Sequence, residues 1–286
     1  MIHTNIYPNP DWIVGKTALM NVRAHKVNGK TIIQPSSWRI PFQWQGYHYQ
    51  NQDDQPYMLM LNSGGGYVEG DGSYFFGHLE KDTRALFTTT ASGKFYKCLN
   101  GLESTEVVEF NVGENALLEY FPDEAIPFAN SRSRRSIKIN MQTSSRLFAT
   151  DMVSAGRVHY GKEIFKFDSL RSSFEVMLKG KRLAQDKVIV KTNEEVADLE
   201  RLWKGARHSA VIFAYAPDLP KDIDDHVRKM ANNVDQTAVG VSRIGDLVTI
   251  RILSHETWQA HEAIYKCWQA LRPAIAGKDA RPIMKC

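Results

Sequence analysis

Apolar and polar positions alternate in short runs over residues 17–191, then change rhythm. The runs LMNVRAHKV, ALFTTT, VVEFNV, ALLEYF, SIKINM, RLFATDMV, FEVML and KVIVK are bounded by Gly, Asn, Asp or Pro, which is how strands are punctuated. In residues 136–141 the alternation is strict and puts Ile137, Ile139 and Met141 on one face. Short strands without helix-length periodicity predict layered antiparallel sheets, and no fixed sequence period marks a solenoid. Past Thr192 the pattern reads strand, helix, hairpin, helix. SAVIFAYAP, residues 209–217, is a buried strand. Ile223, Val227 and Met230 recur at i, i+4 and i+7 on a helix that Pro220 opens. TAVGVS and LVTIRIL pair across Gly245-Asp246, a Gly-X pair suited to a type II′ turn. In the last helix Ala260, Ile264, Cys267, Trp268 and Leu271 share a stripe. Ser254 is placed to cap that helix, with Glu256 in its first turn, and Pro273 to end it. The predicted class is α+β and β-dominated: layered or helical, antiparallel and mixed sheets, with two main helices near the C-terminus. No Gly/Ser or Pro linker separates 1–191 from 192–286, so 1–286 is expected to form one compact unit.

Composition narrows the class without choosing a function. The 286 residues carry a formal charge of +4, too modest to demand a nucleic-acid partner. MIHTNIYPNPDW lacks the basic start and apolar run of a signal peptide. No window approaches the ~20 apolar residues that span a bilayer. Cys98, Cys267 and Cys286 are odd in number and far apart, so no disulfide framework is expected. The expected compartment is the cytoplasm.

The densest chemistry lies in residues 63–97, SGGGYVEGDGSYFFGHLEKDTRALFTTTASGKFYK, where three glycines and a Glu-x-Asp pair precede two strand-like runs. Tight backbone beside carboxylates marks a binding site or a place where strands must bend. A phosphate-cradling loop needs G-x-x-x-x-G-K-[ST], but Gly93-Lys94 is followed by Phe95 and Thr88 stands at the first glycine position. The dinucleotide pattern fails as well, at Glu69 after Gly64 and Gly66.

The segment resembles the urease accessory protein family called UreD, or UreH in some organisms, through Gly65, Gly66, Gly70, Asp71, Phe87, Thr88, Thr89, Lys94 and Tyr96. Further blocks follow in family order: LEYFPDEAIPF, AGRVHYGKEIFKF, AVGVSRIGDLVTIRIL and CWQALRP. The resemblance covers nearly the whole chain. It implies a urease maturation factor without enzymatic turnover that binds urease apoprotein, a UreF-type all-helical accessory protein and, through it, a UreG-type GTPase. It further implies GTP-dependent loading of nickel and of the bridging lysine carbamate, with nickel in transit rather than a tightly bound cofactor, and with no nucleic-acid or membrane partner. In the family, acidic and hydroxyl residues at such positions line a water-filled passage for nickel. The residues implied here are Asp71, Thr89, Asp151 and Glu163, with Glu69 and Arg157 next. The family's usual glutamine after the threonine pair is Thr90 here, Gly-Glu is spaced by Lys162, and the C-terminal tryptophan is absent.

Read from the residues alone, the same groups have plainer roles. An Asp in a Gly-Asp turn often accepts from its own backbone, and threonines suit strands. Alternation sends Thr89 to the face opposite Thr88 and Thr90. HETWQAH sets His255 and His261 six apart, about 120° around a helix, so they do not converge as HExxH histidines do. Asp222 and His226 fit a solvated helix face, and His159 and Cys98 are transient ligands or structural groups. SRSRRS, residues 131–136, reads as a solvated loop or an arginine docking edge. No cluster has the spacing of a tight metal site, which suits a conduit better than a store. Two other classes stay open: a polysaccharide-active β enzyme using paired carboxylates with Trp12, Trp38, Trp44 and Tyr47 stacking on sugars, and a nucleic-acid adaptor using the arginines.

Overall fold

The computed structural model of the chain describes residues 16–50, 53–161 and 163–285. Two large sheets face one another. One has seven strands in the order Lys181–Val190, Ser169–Leu178, Arg132–Met141, Ser104–Val112, Gly72–Leu79, Thr17–Val27, Lys30–Arg39. The other has eleven, with the main path Thr237–Ile244, Leu247–Ser254, His208–Tyr215, Arg146–Ser154, Leu117–Phe121, Arg84–Thr89, Pro56–Asn62, Phe42–Gln43. The β-dominated α+β layering agrees with the sequence reading, and the sheets are mixed.

Strand direction differs from the expected antiparallel layers. From Pro56–Asn62 to Ser169–Leu178 the major strands alternate between the sheets, so the backbone winds as a flattened coil with parallel neighbours in each sheet. Parallel neighbours need a crossover, and the opposite sheet supplies it instead of helices. Gly72 pairs with Thr105, Ser104 with Ser133 and Arg132 with Ser169, so successive coils take 33, 29 and 37 residues. Unequal coils leave no fixed period in the sequence, and alternation specifies which face is buried but not the direction of the partner.

The inner faces of the two sheets enclose the main apolar cluster. Phe75, Phe87 and Phe110 pack there with ring centroids 5.0–5.8 Å apart, and each fully buried phenylalanine contributes ~1.5–3 kcal/mol. The outer face of the eleven-stranded sheet is covered by helices α2 (Ile223–Ala231) and α3 (Thr257–Ala276). His208–Tyr215 pairs antiparallel with Arg146–Ser154, so that sheet runs unbroken from the β-rich part into the C-terminal third.

Three details of the helices depart from expectation. A further helix, α1 (Asn193–Trp203), buries Val196, Leu199 and Trp203 and starts at a capping box between Thr192 and Glu195. The N-cap of α3 is Glu256, boxed with Gln259, while the Ser254 hydroxyl donates to the Glu256 carbonyl. Pro273 lies inside α3, which runs one turn further to Gly277 at φ 67°. Proline's φ is already helical, so the helix continues through it with one i→i−4 hydrogen bond fewer, the one to the Gln269 carbonyl. The five stripe residues of α3 are all buried as expected. No helix among the described residues is long and apolar enough to cross a membrane.

Candidate functional site: a polar cavity between the sheets

Strand parity carries charge into the space between the sheets. Arg132–Met141 buries Ser133, Arg135, Ile137, Ile139 and Met141 on one face. SRSRRS is therefore the start of a core strand, and one of its arginines points inward. From the opposite sheet Asp151 shares the inward face of Leu147 and Ala149. Arg135 Nη2 donates to Asp151 Oδ1 at 2.9 Å, Nη1 to Oδ2 at 3.2 Å and Nε to Glu106 Oε2 at 2.8 Å. The Tyr67 hydroxyl donates to the other Glu106 oxygen at 3.0 Å. Arg135 is only 3% exposed at its side chain and Asp151 6%. Burial by itself disfavours the guanidinium's charge, but Asp151 and then Glu106 overcome it and raise the Arg135 pKa. Two carboxylates about one guanidinium leave a formal surplus of one negative charge.

Glu106 and Arg135 form part of the wall of a cavity of about 120 Å³, with Tyr67, Ser73, Thr89 and Tyr120. Such a volume holds several waters. Phe42, Met60, Val108 and Tyr120 border both the cavity and the apolar cluster, so the wet space gives way to dry packing on that side. The glycine turn forms one edge. Gly66 has φ +138°, and a Cβ there would sit 2.6 Å from the Tyr96 ring and 2.7 Å from the Lys94 carbonyl, so only glycine lets Tyr67 reach the cavity beside the strand Gly93–Phe95.

The six residues implied by the resemblance divide. Thr89 lies in the cavity wall, its hydroxyl accepting from the Asp123 N–H at 2.8 Å and donating to an Asp123 carboxylate oxygen at 3.2 Å. Asp151 stands behind Arg135 and reaches the cavity through it. Asp71 is buried and accepts from the backbone of Lys16 (2.6 Å) and Val68 (3.0 Å), closing the turn. Glu69 accepts from the N–H groups of Leu99, Asn100 and Leu102, which outweigh desolvation and hold its carboxyl below the usual range. Arg157 and Glu163 pair with each other on a separate two-stranded sheet, and the Arg157 guanidinium stacks between Phe128 and Tyr160. That hydrogen-bonded pairing lowers the Glu163 pKa. Asp71, Glu69, Arg157 and Glu163 thus do not join Thr89 in the cavity wall.

Glu106, Arg135 and Tyr67 escaped the sequence reading. Parity was the available signal: Arg135 stands two residues before Ile137, on the face already read as apolar, and Glu106 stands two before Val108 in the strand-like run VVEFNV. Other expectations resolve simply. Trp38 is exposed, Trp44 and Tyr47 pack against the inter-sheet cluster, and Trp12 and Cys286 lie outside the described residues. His159 pairs with Glu256, and the Cys98 sulfur is hydrogen-bonded to backbone, its pKa raised mainly by burial.

A second buried charge ties α3 to the sheet. Glu119, on the outward face of Leu117–Phe121, accepts from Trp268 Nε1 at 2.6 Å, Arg272 Nε at 3.0 Å and Gln55 Nε2 at 2.6 Å. This cluster is fully bonded and fixes the helix.

Comparison with known proteins agrees with this architecture of blocks. The family model described as UreD urease accessory protein matches residues 16–285. Among similar curated proteins, the urease accessory protein UreD of Klebsiella aerogenes is 26% identical over 265 residues, covering 93% of this chain and 94% of the relative. That of Blochmanniella pennsylvanica is 26% identical over 255 residues, covering 88% of each, and that of Lachnoclostridium phytofermentans is 31% identical over 172 residues, 60% of this chain and 62% of the relative. With the match extending through both sheets and all three helices, the chain belongs to the UreD urease accessory protein family.

Proposed function

We propose that this protein hands Ni²⁺ to urease apoprotein by way of the inter-sheet cavity, in a complex with a UreF-type helical protein and a UreG-type GTPase and in a GTP-dependent step. The broader role, urease maturation by an accessory factor rather than an enzyme, follows from family membership. Nickel is cargo here, and the residues that meet it need to release it.

The observation that carries the reading is the Arg135–Glu106–Asp151 cluster beside a polar-lined cavity large enough for several waters. A dehydrating divalent ion needs oxygen ligands and negative charge to offset lost hydration. Glu106, the tyrosine hydroxyls and Thr89 supply oxygen, and the surplus carboxylate supplies charge. Arg135 prevents capture, because it occupies the same oxygens and its charge repels the ion. Weak, successive contacts of this kind allow an ion to enter and also to leave. Onward movement requires side-chain motion past Phe42, Met60, Val108 or Tyr120. Containment in a protein interior also keeps Ni²⁺ from other His and Cys sites.

Glu106→Gln removes the surplus charge and keeps the side chain's shape: the amide oxygen still accepts from Arg135 Nε, and the amide N–H donates to the Tyr67 hydroxyl, which can accept as well as donate. In a reconstituted maturation mixture it is expected to co-purify with its partners yet lower the nickel content of urease several-fold. Wild-type nickel content at limiting Ni²⁺ would contradict the reading.

A further inference from the structure

Where the chain leaves Leu117–Phe121 it turns through Pro122, and the next two residues face α3. Asp123, Glu124 and His261 each place one ligand atom within 4.8 Å of the others. His261 Nε2 lies 3.5 Å from Glu124 Oε2. Glu124 is buried and His261 exposed, so the group spans from interior to surface. Desolvation would raise the Glu124 carboxyl, but its hydrogen bond with His261 and others nearby hold it below the usual range.

Two features make this more than a surface ion pair. First, Asp123 and Glu124 line the inter-sheet cavity, while Asp123 and His261 line a separate groove of about 130 Å³ beneath α3 with Tyr265, Trp268 and Lys285. The three side chains stand at the wall the two spaces share. Second, the donor set is mixed. One imidazole and two carboxylates suit borderline cations such as Ni²⁺, Zn²⁺ or Co²⁺, whereas Mg²⁺ and Ca²⁺ take oxygen alone. Donors ~2.1 Å from an ion in an octahedral set stand about 3.0 Å apart when adjacent and about 4.2 Å apart when opposed, so a group whose ligand atoms lie within 4.8 Å of one another closes on an ion by side-chain rotation. Asp123 already has a cation partner, since Lys285 Nζ lies 2.6 Å from its Oδ1. Thr89 holds the other oxygen at 3.2 Å.

We propose that Asp123, Glu124 and His261 form a docking site for a borderline divalent cation at the entrance to the inter-sheet cavity, with the Lys285 ammonium as the counter-ion the metal displaces. The site rests on the nickel-transfer reading only for the identity of its cargo. Its donors come from three positions in a loop and a helix that the sheet holds rigidly against each other, and two of the three survive any motion of His261. Lys285 sets the affinity: it must be expelled on binding, and its return speeds release toward the cavity.

Equilibrium dialysis of the purified full-length chain against Ni²⁺, and separately Zn²⁺, tests this. The expected result is one equivalent of metal that His261→Ala weakens at least tenfold and Lys285→Met tightens severalfold, with millimolar Mg²⁺ unable to compete. The His261 side chain is 44% exposed, so the folded state, monitored by circular dichroism, should be preserved. Lys285→Met removes no metal donor and only frees the Asp123 oxygen that Lys285 holds, so it reports the site independently of His261. Identical stoichiometry and affinity in wild type and His261→Ala, or displacement of Ni²⁺ by Mg²⁺, would overturn the proposal. Its failure is separable from that of the transfer reading. If the His261-dependent equivalent is found while Glu106→Gln leaves urease nickel unchanged, the docking site stands and passage through the cavity does not. If no such equivalent is found and Glu106→Gln lowers urease nickel, the reverse holds.

Discussion

Arg135 and Asp151, one from each sheet, meet in a two-pronged hydrogen-bonded pair, Nη2 to Oδ1 at 2.9 Å and Nη1 to Oδ2 at 3.2 Å. Charge is the costliest thing to place between two sheets, and here it replaces what would otherwise be another layer of phenylalanine. A buried ion pair contributes little net stability compared with apolar residues of the same size. Its presence therefore calls for a role other than packing.

Breaking that cluster from one side leaves charge unpaired. Arg135→Met strands Asp151 and Glu106 in a buried site and is expected to cost about 3–5 kcal/mol in urea-induced unfolding. The triple replacement Arg135→Met, Glu106→Met, Asp151→Leu removes all three charges and is expected to return to within about 2 kcal/mol of wild type, or above it. On the transfer account the triple variant stays folded but fails to support nickel loading. A stable triple variant with normal loading would show the charges to be dispensable.

Glu119 is wholly buried among Trp268, Arg272 and Gln55. Glu119→Gln turns one acceptor oxygen into a donor facing donors and leaves the Arg272 charge, itself only 8% exposed, without its anion. A loss of about 3 kcal/mol or more is expected. Hydrogen exchange should quicken through α3 before it quickens in the strands around Phe75 and Phe110.

His208 sets an acid limit on stability. It is buried, with Nδ1 2.8 Å from the Ser154 hydroxyl and Nε2 3.3 Å from the Thr257 hydroxyl, and burial lowers its pKa to about 4. In the unfolded chain it titrates near 6.5, so the unfolded state takes up the proton first. The contribution is complete above pH 6.5 and is lost as pH falls from there to about 4, up to roughly 3 kcal/mol in all. His208→Gln should flatten this part of the stability–pH curve. A curve of unchanged slope between pH 6.5 and 4 would assign the acid sensitivity to other groups.

Much of this architecture can be read in the chain, and the unread part has a physical cause. The α3 stripe and the Gly245-Asp246 hairpin appear where periodicity puts them, because each is decided within a few residues. The coil does not, because pairing Gly72 with Thr105 is a long-range choice to which local alternation is blind. Helix α1 was announced by Thr192 and Glu195 at capping-box spacing, yet its eleven residues carry only three buried side chains, too few to stand out as a stripe. The site was half legible. Thr89 could be placed by parity. Asp71 and Glu69 drew notice because carboxylates in a glycine turn attract it, and the same turn explains them without a ligand. Arg135 and Glu106 were hidden by their chemistry: charged residues in a strand read as its solvated face, and only the apolar partners two residues on say otherwise.

Filling the cavity tests the central claim most directly. Gly93 lies in its wall at ordinary backbone angles, and a Cβ there meets the nearest ring atoms, of Tyr67 and Phe95, at 3.7 and 3.8 Å. Gly93→Leu therefore adds apolar bulk at the cavity wall beside Tyr67 without altering a charge. Nickel per active site is then measured in urease matured by the full complex carrying this variant, with complex formation checked by co-purification. An intact complex that delivers severalfold less nickel is the expected result. Full nickel occupancy with leucine in the cavity wall would mean that the ion travels elsewhere.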